Sequence, residues 1–190
     1  PQENKIDIAC FKGVEVIFNL AGASIAQRWS NAAKASILSS RTDALALLHT
    51  SIETHKFPVK HIISASAIGI YPDSKTRYYE ENFQGTDAGF LRTVVKSWEG
   101  SLKTFQSLDV KTTALRIGIV LDSQEGALPK IMGPIKNYFG AALGSGDQWQ
   151  SWIHIDDLVS LFMFVLEFKL DGVYNAVAPN PVQQKELTKL

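Results

Sequence analysis

The stretch VEVIFNLAG at positions 14–22 decides the fold. Most of its residues are β-branched, aromatic or aliphatic, and it closes with two small residues, which is the pattern of a buried strand. Similar runs recur at 61–66 (HIISAS), 112–121 (TTALRIGIVL) and 173–178 (VYNAVA). The sequence therefore predicts four strands spread along the chain.

Long amphipathic segments separate the predicted strands. Ser30 is a plausible N-cap for a helix over about 31–54, and a second helix is predicted over 90–107. A third helix is predicted to be capped by Asp156, and its expected buried residues are Leu158, Val159, Leu161, Phe162, Val165 and Leu166. Strands that alternate with helices favour an α/β fold, in which a doubly wound parallel sheet carries helices on both faces.

Composition narrows the class of protein. The 190 residues are 45% hydrophobic, enough for one full core, and 19 basic residues balance 19 acidic ones. A neutral chain without a basic run gives no sign of nucleic-acid binding, and the apolar runs fall well short of the roughly 18 residues of a membrane span. The single cysteine excludes an internal disulfide, and no metal site is predicted. We expect a cytoplasmic protein.

Three predicted strands end in small or polar residues that should meet in one crevice. These ends are Leu20-Ala21-Gly22, Ser64-Ala65-Ser66 and Arg116-Ile117-Gly118-Ile119. Ligands of parallel α/β sheets bind at the carboxyl ends of the strands, and a planar ribose or nicotinamide ring needs backbone without bulky side chains. Turn chemistry is the alternative explanation for small residues at such positions. A glycine loop, Gly144-Ser145-Gly146, is a weaker candidate for binding an anion.

The order of motifs along nearly the whole chain resembles a known family. The matching stretches include NLAGASI at 19–25, SASAIGIY at 64–71 and WQSWIHIDDLV at 149–159. They are similar to the atypical extended short-chain dehydrogenases of the NAD-dependent epimerase/dehydratase family, in its YfcH-like branch. The resemblance implies a Rossmann-like fold that binds NADP or NAD, with NADP favoured, through the three strand ends.

The resemblance also reveals two departures. Family members open with a strand and a Gly-rich turn that receives the pyrophosphate, and no such segment precedes position 14. We therefore expect one Rossmann-like domain over 1–190, incomplete at both termini, with 122–160 and 179–190 forming its substrate side. The second departure is that the family's catalytic Tyr and Lys positions hold Leu91 and Val95, which cannot carry a proton.

The remaining candidates for acid/base chemistry are Ser66, Tyr71, His154 and Asp156. Ser66, Tyr71 and His154 are the predicted catalytic residues, although Ser66 could instead cap a strand end and His154 could tie a loop to backbone. Arg41, Trp152 and His154 are predicted to contact substrate. Arg41 lies on an apolar helical stripe and needs a partner, which is either a carboxylate of the protein or a bound phosphate or substrate acid. Arg116, in a strand expected to be buried, has the same two alternatives.

The predicted function is that of an NAD(P)-dependent oxidoreductase or nucleotide-sugar-epimerase-like protein that acts on a small molecule. The alternative is a non-catalytic NAD(P)-binding sensor or scaffold, which the replacement of the Tyr and Lys by Leu91 and Val95 favours. The resemblance also allows a homodimer formed through the two long helices.

Overall fold

The computed structural model describes residues 5–83, 85, 89–136 and 145–187. In chain order, the strands are β1 (Val16–Asn19), β2 (His61–Ala67), β3 (Lys111–Ile117), β4 (Ile119–Leu121), β5 (Trp149–Gln150), β6 (Trp152–His154), β7 (Gly172–Ala176) and β8 (Val182–Gln183). The helices are α1 (Asn31–His55), α2 (Phe90–Lys103), α3 (Ala127–Lys136), α4 (Ile155–Glu167) and α5 (Gln184–Leu187).

A four-stranded parallel sheet in the order β1-β2-β3-β7 forms the centre of the fold. Successive side chains of a strand point to opposite faces, so Ile62 of β2 packs with α1 and α2 while Ile63 packs with α4. Each face thereby has its own apolar core, one built around Leu45 and Phe105 and the other around Val165. The predicted α/β class with helices on both faces is confirmed.

Helix α1 begins where its sequence predicts. The Ser30 hydroxyl accepts a hydrogen bond from the Ala33 N–H at 3.2 Å, which satisfies one of the free donors of the first turn. The predicted 90–107 helix is shorter than expected, because α2 ends at Lys103 and the chain tightens into a 3-10 turn over Thr104–Leu108. Among the described residues, no helix combines the length and the apolar composition needed to cross a membrane.

The predicted strand at 112–121 is two strands, and Gly118 is the point of division. Its N–H donates to the Ala176 carbonyl at 3.2 Å, whereas the next N–H, of Ile119, donates to the Ser151 carbonyl at 2.8 Å. The chain therefore leaves the central sheet and pairs with β6 as strand β4. A Cβ atom on residue 118 would stand 2.5 Å from the Ser151 carbonyl oxygen, so this change of partner requires glycine.

Two predictions for α4 were wrong. The N-cap is His154 rather than Asp156, because the imidazole Nδ1 accepts the Asp156 N–H at 3.2 Å and Asp156 lies within the first turn. Val159 was expected to be buried but is 55% exposed, since the sheet covers only the side of α4 that carries Leu158 and Val165.

Candidate functional site

A cavity of about 730 Å³ opens beyond the carboxyl ends of the central strands. One wall is the segment 71–79, which follows β2, and the opposite wall is formed by 148–151 together with 177–179. This is the edge of a parallel sheet where ligands of α/β proteins bind. The cavity is therefore the candidate site.

Strand register places three polar side chains in one row. Ser66 of β2 lies beside Arg116 of β3, which lies beside Asn175 of β7. Neighbours in register point to the same face of a sheet, and this face is the one that α2 covers. Polar residues in such a position must find partners within the protein, because they are shielded from water.

Glu99 of α2 supplies the partner for two of them. Its carboxylate accepts two parallel hydrogen bonds from Arg116, from Nε and from Nη2, both at 2.9 Å, and a third from the Ser66 hydroxyl at 2.7 Å. The side chains of Arg116 and Glu99 are only 7% and 15% exposed. Burial alone lowers the pKa of Arg116, but the hydrogen bonds to Glu99 and Tyr71 outweigh it and raise that pKa above its ordinary value.

Tyr71 connects this buried ion pair to the cavity. Its hydroxyl accepts a hydrogen bond from Arg116 Nη1 at 2.8 Å and donates one to Asn175 Oδ1 at 2.6 Å. The guanidinium carbon of Arg116 also lies 5.3 Å from the centre of the Tyr71 ring. Both Tyr71 and Asn175 line the cavity, so one end of the network is available to a ligand.

Glu81 closes the network from the far end of the 71–79 wall. Its carboxylate accepts the Asn175 N–H at 2.7 Å, and its backbone carbonyl accepts from Arg116 Nη1 at 3.1 Å. Asn175 and Glu81 were not predicted from the sequence. The signal that points to Asn175 is its register opposite Arg116, which requires the sheet order to be known.

The predicted catalytic residues are only partly brought together. Ser66 and Tyr71 both touch the Arg116–Glu99 pair, directly or through one hydrogen bond. His154 lies instead at the start of α4 with its side chain half exposed, and it is absent from the described lining of the cavity. Trp152, whose indole N–H donates to the Asn180 carbonyl at 3.1 Å, is absent from that lining too. The structure brings Trp149 to the cavity, and substrate contacts of Trp152 and His154 stay predictions.

Arg41 does not pair with a carboxylate among the described residues, and its contact with a bound phosphate or substrate acid stays a prediction. Its Nη1 donates to the backbone carbonyls of Ala23 at 3.2 Å and Ile37 at 2.8 Å, and its guanidinium carbon lies 4.9 Å from the centre of the Trp98 ring. The neighbouring Ser40 hydroxyl accepts the Ala23 N–H at 2.9 Å. The side chains of Ser40 and Arg41 thus bind the backbone N–H and the backbone carbonyl of Ala23, which lies in the turn after β1. Burial lowers the pKa of Arg41.

The predicted cofactor-binding residues differ in exposure. Leu20, Ala21 and Gly22 are exposed immediately beyond the end of β1. Ser64, Ser66 and Arg116 are buried, while Ala65, Ile117, Gly118 and Ile119 are half-buried. The Ser64 hydroxyl is used internally, since it accepts from Asn19 Nδ2 at 2.9 Å and donates to the Ala65 carbonyl at 2.8 Å. The contact of these residues with a cofactor stays a prediction.

At the positions of the expected Tyr and Lys, Val95 is buried and Leu91 is half-buried. Val95 is 2% exposed, and the Leu91 side chain packs within reach of Gly69, where a Cβ atom would meet it at 3.1 Å. Neither position faces the solvent with a polar group. In the predicted glycine loop, Gly144 lies outside the described residues. Among the residues that are described, no three His, Cys, Asp or Glu side chains come close enough to hold a metal ion.

Comparison with known proteins identifies close homologues. No protein-family model matches the chain. The chain is 36% identical over 177 residues to the epimerase family protein YfhF of Bacillus subtilis, a match that covers 93% of the chain and 58% of that protein. The chain therefore spans a little over half the length of the curated relatives it matches.

Solved structures support the same relationship. A human epimerase family protein solved with NADPH superimposes with a TM-score of 0.81 at 29% identity, covering 91% of this chain and 60% of that one. A nucleoside-diphosphate sugar epimerase from Corynebacterium glutamicum gives a TM-score of 0.80 at 27% identity, covering 97% of this chain and 39% of that one.

Proposed function

We propose that this chain, a homologue of the epimerase family proteins with their Rossmann-like fold, belongs to an NAD(P)-dependent epimerase-like enzyme that acts on a small organic molecule. The expected homology to epimerase family proteins is confirmed, whereas the YfcH-like branch stays a prediction. One observation carries the proposal: the Tyr71 hydroxyl stands at the wall of the cavity, held between the Arg116 guanidinium and the Asn175 amide.

The residues beyond β1 fit a dinucleotide. Ala21 and Gly22 are exposed and carry no bulky side chain, and the Ser40–Arg41 pair fixes the turn that contains them. We infer that this turn and the neighbouring ends of β2 and β3 would hold the cofactor. When bound, the nicotinamide supplies hydride chemistry. NADPH is the cofactor bound in the human relative, which supports our preference for NADP over NAD.

Tyr71 is the proposed acid/base residue. The Tyr71 hydroxyl accepts a hydrogen bond from the Arg116 guanidinium at 2.8 Å, which fixes the phenol oxygen at the cavity wall, where it could exchange a proton with a substrate. The Tyr71 proton, which Asn175 Oδ1 accepts in this structure, would pass to an oxygen of the substrate that takes the place of that amide oxygen beside the cavity. The proton of the Ser66 hydroxyl is directed at Glu99, so Ser66 would act by holding Glu99 and Arg116 in place rather than by contacting substrate.

Titration of the full-length protein with NADPH and with NADH tests the first half of the proposal. We expect micromolar binding of at least one of them, with NADPH the tighter. A screen of carbonyl compounds and sugar nucleotides with the bound cofactor then tests the second half. Tyr71→Phe should abolish turnover while cofactor affinity is kept. Tyr174→Phe is the matched control, since that hydroxyl donates to the Asp171 carbonyl and does not line the cavity.

The outcomes separate the two functions considered from the sequence. If neither dinucleotide binds a folded sample, the enzyme and the sensor proposals both fail. If a dinucleotide binds and no probe turns over, the non-catalytic sensor becomes the better proposal, in keeping with the apolar Leu91 and Val95. Turnover that survives Tyr71→Phe would remove Tyr71 from the mechanism.

A further inference from the structure

The described lining of the cavity carries more positive than negative charge. Its described lining contains two cations, Lys75 and Arg77, and one carboxylate, Asp73. The Lys75 ammonium lies 3.8 Å from the Asp147 carboxylate, which also pairs with Lys185 at 3.1 Å. Among the described residues, the Arg77 guanidinium makes neither an ion pair nor a hydrogen bond. Within the described part of the cavity, Arg77 is therefore a cation whose N–H groups no described acceptor occupies.

The exposed Arg77 side chain nevertheless lies against two aromatic rings, which restrict it. Its guanidinium carbon lies 5.4 Å from the centre of the Tyr79 ring and 5.5 Å from that of Phe83. Its backbone is fixed as well, because the Ser74 hydroxyl oxygen accepts the N–H of Arg77 at 2.9 Å and that of Thr76 at 3.2 Å. A cation that is already ordered loses less conformational entropy when a ligand binds to it.

The rest of the cavity favours a flat apolar body. Ile68, Ile119 and Val177 contribute aliphatic surface, and Trp149 and Tyr78 contribute rings that are 41% and 75% exposed. The Trp149 ring is fixed by its indole N–H, which donates to the Lys75 carbonyl at 2.9 Å across the cavity walls. Exposed rings at a cavity wall offer surfaces on which another ring can stack.

We propose that the cavity selects an organic anion that contains a planar aromatic ring, with that ring against Trp149 or Tyr78 and its carboxylate on Arg77. The carbon on which the proposed function acts would lie in another part of the same molecule, beside Tyr71. This deepens the proposed function by naming the substrate class, and it rests on that proposal, since it takes the cavity as the substrate site. A nucleoside diphosphate is a poorer match. Its two phosphates require several converging donors, and the described lining has a net charge of only one.

The test is calorimetric titration of the full-length protein, without added dinucleotide, with 2-naphthoate and with the neutral 2-naphthamide. We expect the anion to bind about tenfold more tightly, the scale of one charge-assisted hydrogen bond. Arg77→Gln should bring the two affinities together, and Arg77→Lys should keep part of the difference. Trp149→Leu should weaken both ligands. Arg28→Gln is the matched control, because Arg28 is exposed and lies outside the described lining.

Three results would overturn the proposal: no binding of 2-naphthoate, equal affinities for the two ligands, or a preference that Arg77→Gln leaves unchanged. Uridine diphosphate that binds more tightly than 2-naphthoate would assign the cavity to nucleotides instead. A parallel titration with NADPH keeps this failure apart from that of the proposed function. If NADPH binds and 2-naphthoate does not, only the proposed substrate class is excluded. If 2-naphthoate binds and NADPH does not, the proposed dinucleotide site is excluded, and the proposed function with it.

Discussion

Replacing Glu99 by leucine should destabilise the protein more than most single substitutions. The change removes the carboxylate that accepts two hydrogen bonds from Arg116 and one from Ser66. Arg116 would keep its charge in a position where its side chain is 7% exposed. Removal of one partner from a buried ion pair costs about 3–5 kcal/mol, because the remaining charge is uncompensated.

Urea unfolding of the full-length protein measures this cost. With a slope of about 2 kcal/mol per molar urea, the midpoint should fall by about 1.5–2.5 M while the slope stays the same. The matched control is Glu53→Leu on α1, where the side chain is 56% exposed and its distance to His49 is 3.9 Å. That substitution should change the free energy of unfolding by no more than about 0.5 kcal/mol.

A double variant separates the buried charge from the lost packing. Glu99→Leu combined with Arg116→Met removes both charges, so it should be less destabilised than Glu99→Leu alone. A double variant as unstable as the sum of its single changes would refute the reasoning. A single Glu99→Leu variant that loses less than about 1 kcal/mol would refute it as well.

Three further predictions concern His61, Gly118 and Ser30. Burial is the main cause that lowers the pKa of His61 below the ordinary 6.5, so the folded state disfavours its protonation. The contribution of His61 to the free energy of unfolding should therefore be complete above about pH 6.5 and should decline as the pH falls below that value. We expect the melting temperature of the wild type to drop more than that of His61→Gln over this range, and an equal drop in both would contradict the reasoning. Gly118→Ala places a methyl group 2.5 Å from the Ser151 carbonyl oxygen and should cost about 1–3 kcal/mol. Its control Gly100→Ala, in α2 with nothing within 4 Å, should stabilise by about 0.5–1 kcal/mol, and equal effects at both positions in chemical denaturation would exclude the steric cause. Ser30→Ala should cost about 1 kcal/mol through loss of the α1 cap, and Ser30→Asp, which keeps an acceptor, should recover most of it in the same measurement.

The sequence correctly predicted features that depend only on residues close together in the chain. Ser30 caps α1 as expected, because a hydroxyl oxygen just before a helix can accept a hydrogen bond from a free N–H of the first turn. The position of the α4 cap was not predictable, since His154 and Asp156 both carry side-chain acceptors and the choice depends on where the turn begins. The division at Gly118 was also missed. A glycine within a β-branched run looks like part of one strand until its two hydrogen-bonding partners are known.

The site was predicted less completely than the fold. Ser66 was predicted from its match to the family's serine, and Tyr71 was predicted as a tyrosine in the loop after β2; both reach the same buried ion pair. Asn175 and Glu81 join the network through strand register and a long loop, neither of which leaves a periodic signal in the sequence. The partner of Arg41 could not be predicted, because it is the backbone of Ala23 and backbone groups are the same for every residue type.

The anchoring of the 71–79 wall has a consequence for how this fold diversifies. Tyr71 at one end and Glu81 at the other are both tied to Arg116 and Asn175, so the residues between them form a loop with fixed ends. The entropy cost of closing a loop rises only slowly with its length, and loops between fixed points tolerate exchange. Relatives can therefore replace or lengthen residues 72–80, and acquire a new specificity, without any change in the sheet that supports them.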